Sequence, residues 1–460
     1  MDAAFQATDT IAAIATPQGE GGIAVVRISG SQTLTITDRV FSGSGAPLSQ
    51  RKGGTFTVGY VVNDQGERID QVLALIMRAP HSYTCEDVVE LQGHGGSQCA
   101  RRILRCVLEA GARMAQPGEF TQRAFLHGRL DLVQAEAVLD LIHAKSGRAA
   151  AAAMDQLQGG LSQTLNTLYD QLIAIAADLE ATLDFPEDEL PETVMPDILG
   201  RSTEAATHLD ALIQSWDEGH WLRDGARVVI SGQPNVGKST LLNGLLETDR
   251  AIVSNTPGTT RDTIEEDLVI AGIPIRLVDT AGLRETDCEI EQLGIARTRN
   301  HIAQADLHIY VLDATRPVDA QEINRLSTWP DHRMLLVVNK VDRVNQPPLI
   351  DYSGRTLSGS ATQKPFIQAV RDALQEMLAS RIDLEARPQA TISERHRALL
   401  RAAQTEFSEI IRMLSTDNPA HVALASSQMR MVLDHIGLIT GRTYHEELLN
   451  TIFSRFCIGK

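Results

Sequence analysis

The sequence predicts a multidomain protein of the α/β and α classes. An N-terminal α+β domain is followed by a discontinuous all-helical domain, into which an α/β domain with a mainly parallel sheet is inserted. Three observations predict this arrangement. The 460 residues exceed one compact core, at about 150 residues per domain. Strand-like runs alternate with helical segments in the middle of the chain, and helical periodicity precedes and follows them.

Residues 1–120 carry the pattern of the α+β domain. Short β-like runs at 23–28, 56–62, 72–77 and 88–91 are separated by glycines. We expect one helix among them, because Ala100, Ile103 and Val107 recur at helical spacing and Gly111 stands where a C-cap belongs.

Residues 121–220 and 382–460 form the two parts of the predicted helical domain. Alanine- and leucine-rich stretches at 130–153 and 161–183 place apolar residues at i, i+3, i+4 and i+7, and this periodicity returns after about residue 382. Prolines and acidic residues at 185–191 indicate a solvated loop.

Residues 221–381 form the predicted α/β domain. Strand-like runs alternate there with helical segments, which is typical of a parallel sheet covered by helices. The runs lie at 227–231, 268–270, 275–278, 307–312 and 334–338.

A phosphate-binding motif opens this domain. Residues 232–239 read GQPNVGKS, which fits GxxxxGK[ST] between a strand-like run and a helical segment. Its backbone N–H groups can surround phosphate oxygens, Lys238 can neutralise the β and γ phosphates as a catalytic cation, and the Ser239 hydroxyl can bind Mg²⁺. The predicted nucleotide contacts are Asn235, Val236, Gly237, Lys238, Ser239 and Thr240.

Two further motifs follow in the order required of a GTPase, and the second of them identifies the base as guanine. Asp279-Thr280-Ala281-Gly282 follows one strand-like run, where Asp279 can hold Mg²⁺ through water and the Gly282 N–H can contact the γ-phosphate. Asn339-Lys340-Val341-Asp342 follows another, where Asp342 can accept from guanine N1–H and its exocyclic amine. The sequence therefore predicts an enzyme that hydrolyses GTP to GDP and phosphate.

Two loops complete the predicted nucleotide site. Residues 258–262 lie where a first switch segment belongs, with Thr260 placed to complete the Mg²⁺ shell. The last base-contacting loop lies within Ser358-Gly359-Ser360-Ala361, and either Ser358-Gly359 or Ser360-Ala361 can form it.

The residue after Gly282 is Leu283, where well-known small GTPases place a water-orienting glutamine. Hydrolysis must therefore use another device, supplied either from elsewhere in the chain or by a monovalent cation. Asn235 places an amide oxygen at the phosphate loop. Glu289 and Glu291 lie in the second switch, but spacing alone favours a solvated helix start for both.

The overall charge and hydropathy bear on whether the protein binds nucleic acid broadly and on where in the cell it lies. A net charge of −17 argues against broad, sequence-independent binding of nucleic acid, because an acidic surface repels phosphates. The sequence has no run of 18 apolar residues and no basic, apolar leader, so we expect a cytoplasmic protein without a membrane anchor.

Four blocks outside the nucleotide motifs carry a resemblance to one family. They read DTI, TP and RISG within residues 9–30, ELQGHGG at 90–96, PGEFT, RAFL and QAEA within 117–137, and FCIGK at 456–460. With them, the chain resembles the MnmE (TrmE) family of tRNA modification GTPases over essentially its whole length.

The resemblance implies a mechanism for hydrolysis. Members are homodimers with an N-terminal folate-binding and dimerising domain, and potassium stimulates them when two GTPase domains meet. By motif position, the implied potassium ligands are Asn235, Ser254, Thr256 and Thr259, of which Ser254 and Thr259 also belong to the nucleotide site. The family's catalytic, water-orienting carboxylate matches Glu291, while Glu289 stays a solvated residue.

The resemblance also implies a folate site and a substrate. The implied folate-binding residues are Arg27, Glu90, Arg129 and Lys460, and Cys457 matches a terminal cysteine implicated in tRNA modification. The folate is 5,10-methylenetetrahydrofolate, with 5-formyltetrahydrofolate as an analogue. With an FAD-binding partner, MnmG or GidA, in a heterotetramer, the family forms 5-carboxymethylaminomethyl or 5-aminomethyl groups on the wobble uridine of tRNA.

A regulatory GTP switch that modifies no substrate is the alternative function. Such proteins share the nucleotide motifs, but a second GKS or a GxxG loop beside a basic helix does not recur here in a convincing context. The N-terminal blocks and Cys457 favour the enzyme.

Overall fold

The structure is a computed structural model, and it describes residues 9–17, 19–184, 193–250, 265–279, 305–319, 322, 326, 331–348, 350–380, 392–416 and 418–460. The β-strands are β1 Ile11–Ile14, β2 Ile23–Ser29, β3 Phe41–Gly43, β4 Thr55–Val62, β5 Arg68–Met77, β6 Val88–His94, β7 Arg113–Met114, β8 Ala226–Ser231, β9 Glu265–Ile270, β10 Ile273–Asp279, β11 Leu307–Asp313, β12 Met334–Asn339 and β13 Arg355–Ser358.

The α-helices are α1 Thr33–Val40, α2 Ser97–Glu109, α3 Glu119–Leu126, α4 Leu132–His143, α5 Gly147–Leu157, α6 Gly160–Asp184, α7 Val194–Arg223, α8 Lys238–Arg250, α9 Lys364–Ala379, α10 Glu394–Leu414, α11 Pro419–Thr440 and α12 Glu446–Phe453. In the described part of the chain, no helix is both long and apolar enough to cross a bilayer.

The chain divides into two compact units. The first unit comprises Met1–Leu139, Ser162–Tyr169 and Leu433–Lys460, and the second comprises Asp140–Leu161 and Asp170–Val432. The proposed domain bounds at residues 120, 220 and 381 stay predictions.

The first unit contains a seven-stranded sheet in the order β3-β4-β5-β6-β2-β1-β7. Neighbouring strands are antiparallel except for β1 and β7, which pair in parallel. Alternation along β2 buries Ala24, Val26 and Ile28 on one face and leaves Arg27 on the other, half-buried. The buried face packs against α1 and α2.

The expectation of one helix in this region is wrong. The predicted helix is present as α2, which buries Ile103 and Val107, and Gly111 follows it at φ +118°. Helix α1 also forms. The sequence of α1, TLTITDRV, is rich in β-branched residues that disfavour helix, but burial of Leu34 and Ile36 in the core outweighs that preference.

A buried ionic network anchors α3 at the β1 end of the sheet. Arg123 is fully buried, and its guanidinium bonds to Asp9 Oδ1 at 2.6 Å, Glu86 Oε1 at 3.1 Å and Glu119 Oε1 at 3.0 Å. Burial alone would raise the pKa of Glu119, but hydrogen bonds from Arg113 and Arg123 lower it below its usual value. The Glu119 carboxylate therefore stays charged, and it helps to compensate the buried guanidinium.

The second unit contains a six-stranded sheet in the order β13-β12-β11-β8-β10-β9. All neighbouring pairs are parallel except β9 and β10. Strands β11 and β12 are buried along their whole lengths, as expected for a parallel sheet covered on both faces. This confirms the predicted, mainly parallel sheet, and it brings the carboxyl ends of β8, β11 and β12 to one edge.

Candidate functional site

The phosphate loop connects β8 to α8 and passes close to two neighbouring strands. A Cβ on Gly232, at φ +147°, would lie 2.2 Å from the Val311 carbonyl oxygen of β11. A Cβ on Gly237, at φ +101°, would lie 2.2 Å from Asn339 Nδ2 at the end of β12. Glycine is therefore required at both positions by backbone conformation and by space.

Lys238 begins α8 and is almost fully buried. Its Nζ donates to the carbonyl oxygens of Gly232 at 3.2 Å and Gln233 at 2.8 Å, so the ammonium lies within the curve of the loop. Ser239 and Thr240 follow in the first turn of the helix, where backbone N–H groups point away from the helix interior. Fixed positive charge at a helix N-terminus fits a phosphate group.

The predicted guanine motif is joined directly to this loop. Asn339 Nδ2 donates to the Val236 carbonyl at 2.8 Å, and the Asn339 Oδ1 accepts from the Ala361 N–H at 2.8 Å. Lys340 Nζ donates to the Asn235 carbonyl at 2.6 Å. The structure thus brings together three segments that are far apart in the sequence.

Asp342 lies exposed in a short 3₁₀ helix, Val341–Arg343. The Val341 N–H donates to the Gly359 carbonyl at 3.2 Å, and the Gly359 N–H donates to the Val338 carbonyl at 3.0 Å. Both alternatives for the last base-contacting loop, Ser358-Gly359 and Ser360-Ala361, are therefore adjacent to the guanine motif. The choice between them stays a prediction.

Asp279 ends β10, and its Cα pairs with that of Ile230 on β8, beside the start of the phosphate loop. The remaining predicted residues of the nucleotide, magnesium and potassium sites lie outside the described residues: Ser254, Thr256, Thr259, Thr260, Thr280, Ala281, Gly282 and Glu291.

Sequence reasoning missed Asp313, which belongs to the same edge. Its Oδ2 lies 2.6 Å from Lys340 Nζ, and its Oδ1 accepts from the Thr315 N–H at 3.0 Å and hydroxyl at 2.7 Å. Burial alone would raise the pKa of Asp313, but these hydrogen bonds and the Lys340 charge lower it. Asp313 ends a strand of the parallel sheet, as Asp279 and Asn339 do. A polar residue directly after an apolar strand-like run is the sequence signal that could have identified it.

A second cluster of charged residues lies on the first unit's sheet. Arg27 on β2 and Glu90 on β6 are directly opposed, and their Nε and Oε1 atoms are 2.9 Å apart. The Arg27 guanidinium lies 5.5 Å from the ring centre of Tyr83, and that of Arg129 lies 5.8 Å from the same ring. Arg129 also donates to the Ser82 carbonyl. The predicted folate residues Arg27, Glu90 and Arg129 are therefore gathered around one tyrosine.

The tail at residues 457–460 reaches this cluster. The Phe120 N–H donates to the Lys460 carbonyl at 3.2 Å, and Arg27 Nη1 donates to the Gly459 carbonyl at 3.4 Å. Burial and the nearby Arg27 charge lower the pKa of Lys460, while Glu90 and Cys457 oppose that shift. Cys457 is exposed in the same tail.

The cluster carries more positive than negative charge. Arg27, Arg129 and Lys460 are the cations, and Glu90 is the anion beside them. Burial raises the pKa of Tyr83 above its usual value, so its ring and neutral hydroxyl contribute no charge. Such a group fits an aromatic ligand with carboxylates. Tyr83 belongs to none of the sequence motifs, and Phe120, whose ring centre lies 5.6 Å from the Arg27 guanidinium, is part of the PGEFT block but carries no predicted role in this cluster.

Two family models and the curated relatives point to one family. A family model described as the MnmE helical domain matches residues 132–457, and one described as the GTP-binding protein TrmE N-terminus matches residues 10–129. The tRNA modification GTPase MnmE of Moorella thermoacetica is 43% identical over 463 residues, covering 98% of this chain and 99% of that protein. The protein so named in Symbiobacterium thermophilum is 43% identical over 469 residues, with the same coverage. The FeoB G-domain from Methanococcus jannaschii matches 33% of this chain and 97% of its own, with 21% identity and a TM-score of 0.24.

Proposed function

The chain belongs to the MnmE family of tRNA modification GTPases, and from this premise we propose that it couples potassium-stimulated GTP hydrolysis to modification of the tRNA wobble uridine. With an FAD-binding MnmG (GidA) partner in a heterotetramer, it forms 5-carboxymethylaminomethyl or 5-aminomethyl groups from a tetrahydrofolate one-carbon unit in the cytoplasm. The observation that carries the proposal is the presence in one chain of a joined phosphate and guanine site and a cationic, aromatic cluster.

Each residue of the proposed nucleotide site has its own task. Lys238 and the first N–H groups of α8 hold the phosphates, and Asp342 selects guanine. Ser239 and Thr260 would hold Mg²⁺, which neutralises phosphate charge when it is bound. Hydroxyl oxygens suit this hard cation.

Potassium would bind beside the phosphate loop at Asn235, together with Ser254, Thr256 and Thr259. The exposed Asn235 has φ +64°, and its carbonyl is already held by Lys340, so its amide oxygen is the group left for a cation. When bound, potassium would supply the positive charge that an arginine supplies in other GTPases. Glu291 would orient the attacking water in place of the missing glutamine.

The cluster around Tyr83 would hold the folate, 5,10-methylenetetrahydrofolate or its 5-formyl analogue. The surplus cations Arg27, Arg129 and Lys460 match an anionic ligand, and Glu90 orients Arg27 through their hydrogen bond. Cys457 lies in the tail that supplies Lys460, so its exposed thiol would act beside the folate. The folate supplies the one-carbon unit when it is bound.

The first unit would form a homodimer through the sheet face that carries Arg27 and Glu90. The β-sheet register places Phe56, Leu75, Glu90 and Arg27 in one row across this face. Phe56 is 68% exposed and Val58, two residues along, is 55% exposed. Apolar residues grouped in this way favour contact with another protein surface. A second copy would bury them and enclose the folate cluster.

Steady-state GTP hydrolysis in potassium and in sodium, at equal ionic strength, tests the proposal. We expect potassium to raise the rate at least about tenfold in the wild type, because a coordinated cation stabilises charge in the transition state. Asn235→Ala should remove most of this stimulation. Asn450→Ala, at an exposed asparagine of α12, is the matched control and should keep it.

Equal rates in the two salts would contradict the potassium mechanism. In that case a regulatory GTP switch becomes the better description of the molecule. The modification itself is tested separately, by nucleoside analysis of tRNA from a deletion strain. Unchanged wobble uridine modification there would contradict the enzymatic role.

A further inference from the structure

Asp313 connects the guanine end of the nucleotide site to its phosphate end. One of its oxygens lies 2.6 Å from Lys340 Nζ, and the same ammonium lies 2.6 Å from the Asn235 carbonyl. We propose that Asp313 is a positioning residue for potassium: it holds Lys340 against the Asn235 carbonyl and thereby fixes the residue that binds the cation. This inference rests on the proposed potassium-stimulated hydrolysis.

The Asp313 carboxylate is itself held in one position. Its side chain is only 3% exposed, and its second oxygen accepts two hydrogen bonds from Thr315. The backbone is tied as well, because the Ala314 N–H donates to the Asn339 carbonyl at 2.8 Å. Because the Asp313 carboxylate is buried and both of its oxygens are hydrogen-bonded, it cannot turn freely. It therefore restricts the direction in which Lys340 can donate.

Asn235 needs such support because its backbone conformation is unfavourable. Its φ of +64° lies in the left-handed region, which costs free energy for a residue other than glycine. Lys340 has the same φ, so both residues of the contact are held in unfavourable conformations. The two hydrogen bonds through the Lys340 ammonium, together with the bond from Asn339 to the Val236 carbonyl, compensate that cost.

Removing the charge of Asp313 would release this arrangement. An asparagine there can keep the Thr315 contacts, but its neutral amide holds an ammonium less strongly than a carboxylate does. Lys340 would then leave the Asn235 carbonyl part of the time, and the Asn235–Val236 peptide would rotate toward more common conformations. The amide oxygen of Asn235 would spend less time where potassium needs it, while Lys238 and the phosphate contacts of α8 would be retained.

The test is the potassium concentration that gives half-maximal GTP hydrolysis, measured on the full chain at saturating GTP and constant ionic strength. The same concentration is measured without turnover, from the fluorescence of a bound, labelled, non-hydrolysable GTP analogue. Asp313→Asn should raise this concentration roughly tenfold, the size of effect expected from one charge-assisted hydrogen bond. The matched control is Asp319→Asn, since Asp319 is exposed and accepts from Gln233 of the phosphate loop at 3.1 Å without reaching Lys340. It should leave the half-maximal concentration unchanged.

Each outcome decides between the two proposals. If the wild type shows no potassium stimulation, the proposed mechanism of hydrolysis fails. If the wild type is stimulated and a folded Asp313→Asn keeps its half-maximal concentration, the role of Asp313 is wrong, even where GDP binding weakens. Asp313→Glu repeats the test if the asparagine variant does not fold, because it keeps the charge but displaces the carboxylate; a shift of about threefold is then expected.

Discussion

A buried histidine lies directly beneath the phosphate loop. His308 on β11 bonds through Nε2 to the hydroxyl of Ser231, the last residue before Gly232, at 2.7 Å. Burial lowers the pKa of His308 from 6.5 to about 4. The imidazole is therefore neutral in the folded protein at neutral pH, and it can support Ser231 without placing a second charge beneath the loop.

This histidine predicts a loss of stability in mild acid. The unfolded chain takes up the proton below pH 6.5 and the folded chain only near pH 4, so stability falls as the pH drops through that interval. At pH 5 the loss is about 2 kcal/mol relative to neutral pH, at about 1.4 kcal/mol per pH unit. Urea unfolding of the wild type and His308→Gln at pH 7.5 and 5 measures it. The variant should lack this part of the pH dependence; an identical dependence in both proteins would contradict the assignment.

At the scale of single residues, the sequence predicts those functional residues that belong to a motif of consecutive positions. The motifs identify Lys238, Asn339 and Lys340 because glycine spacing and strand-end position are written in consecutive residues. They do not identify Asp313 or Tyr83, whose roles come from partners distant in the chain, such as Lys340 for Asp313 and Arg27 for Tyr83. Pairwise contacts of this kind leave no local pattern.

Among the elements, the tail at residues 457–460 depends most on one glycine. Gly459 has φ +99°, and a Cβ there would lie 2.5 Å from the Ile14 carbonyl oxygen. Gly459→Ala should therefore displace the tail, and with it Lys460, from the cluster around Tyr83. We expect the affinity for 5-formyltetrahydrofolate to fall at least about tenfold, measured by titration calorimetry.

The control for this variant is Gly111→Ala. Gly111 has φ +118°, but a Cβ there would meet no other atom within 4 Å, so the substitution brings a comparable backbone cost without a clash. Its folate affinity should match the wild type. An unchanged affinity in Gly459→Ala would show that the folate does not need the tail.

Helices and strands were predictable where burial of apolar residues alone sets the sequence pattern. Strands β11 and β12 are mostly apolar and are buried throughout, and α2 shows regular helical spacing, so the sequence predicts both kinds of element. Helix α1 was missed because its β-branched residues suggest a strand, and only the tertiary core stabilises it as a helix. The parallel pairing of β1 with β7 involves two residue pairs, too few to leave a signal in the sequence.

At the scale of the whole molecule, the exposed sheet face predicts the oligomeric state. Phe56→Asp should convert the proposed dimer to a monomer, because the interface would have to desolvate a carboxylate without a partner. Light scattering coupled to size-exclusion chromatography should show the mass fall to about half. Thr35→Asp places the same charge on α1, which packs on the opposite face, and should stay dimeric. A dimeric Phe56→Asp would exclude this face as the interface.

The first unit also has a consequence for how the chain folds. The hydrogen bond between Arg27 and Gly459 joins residues 432 positions apart. Contacts between such distant residues form slowly, whereas the second unit closes largely within one continuous segment, Asp170–Val432. Once that segment has folded, less flexible chain separates the tail from the sheet of the first unit. The entropy lost when the tail binds to that sheet is therefore smaller. The cationic cluster is therefore expected to be among the last features to form during refolding.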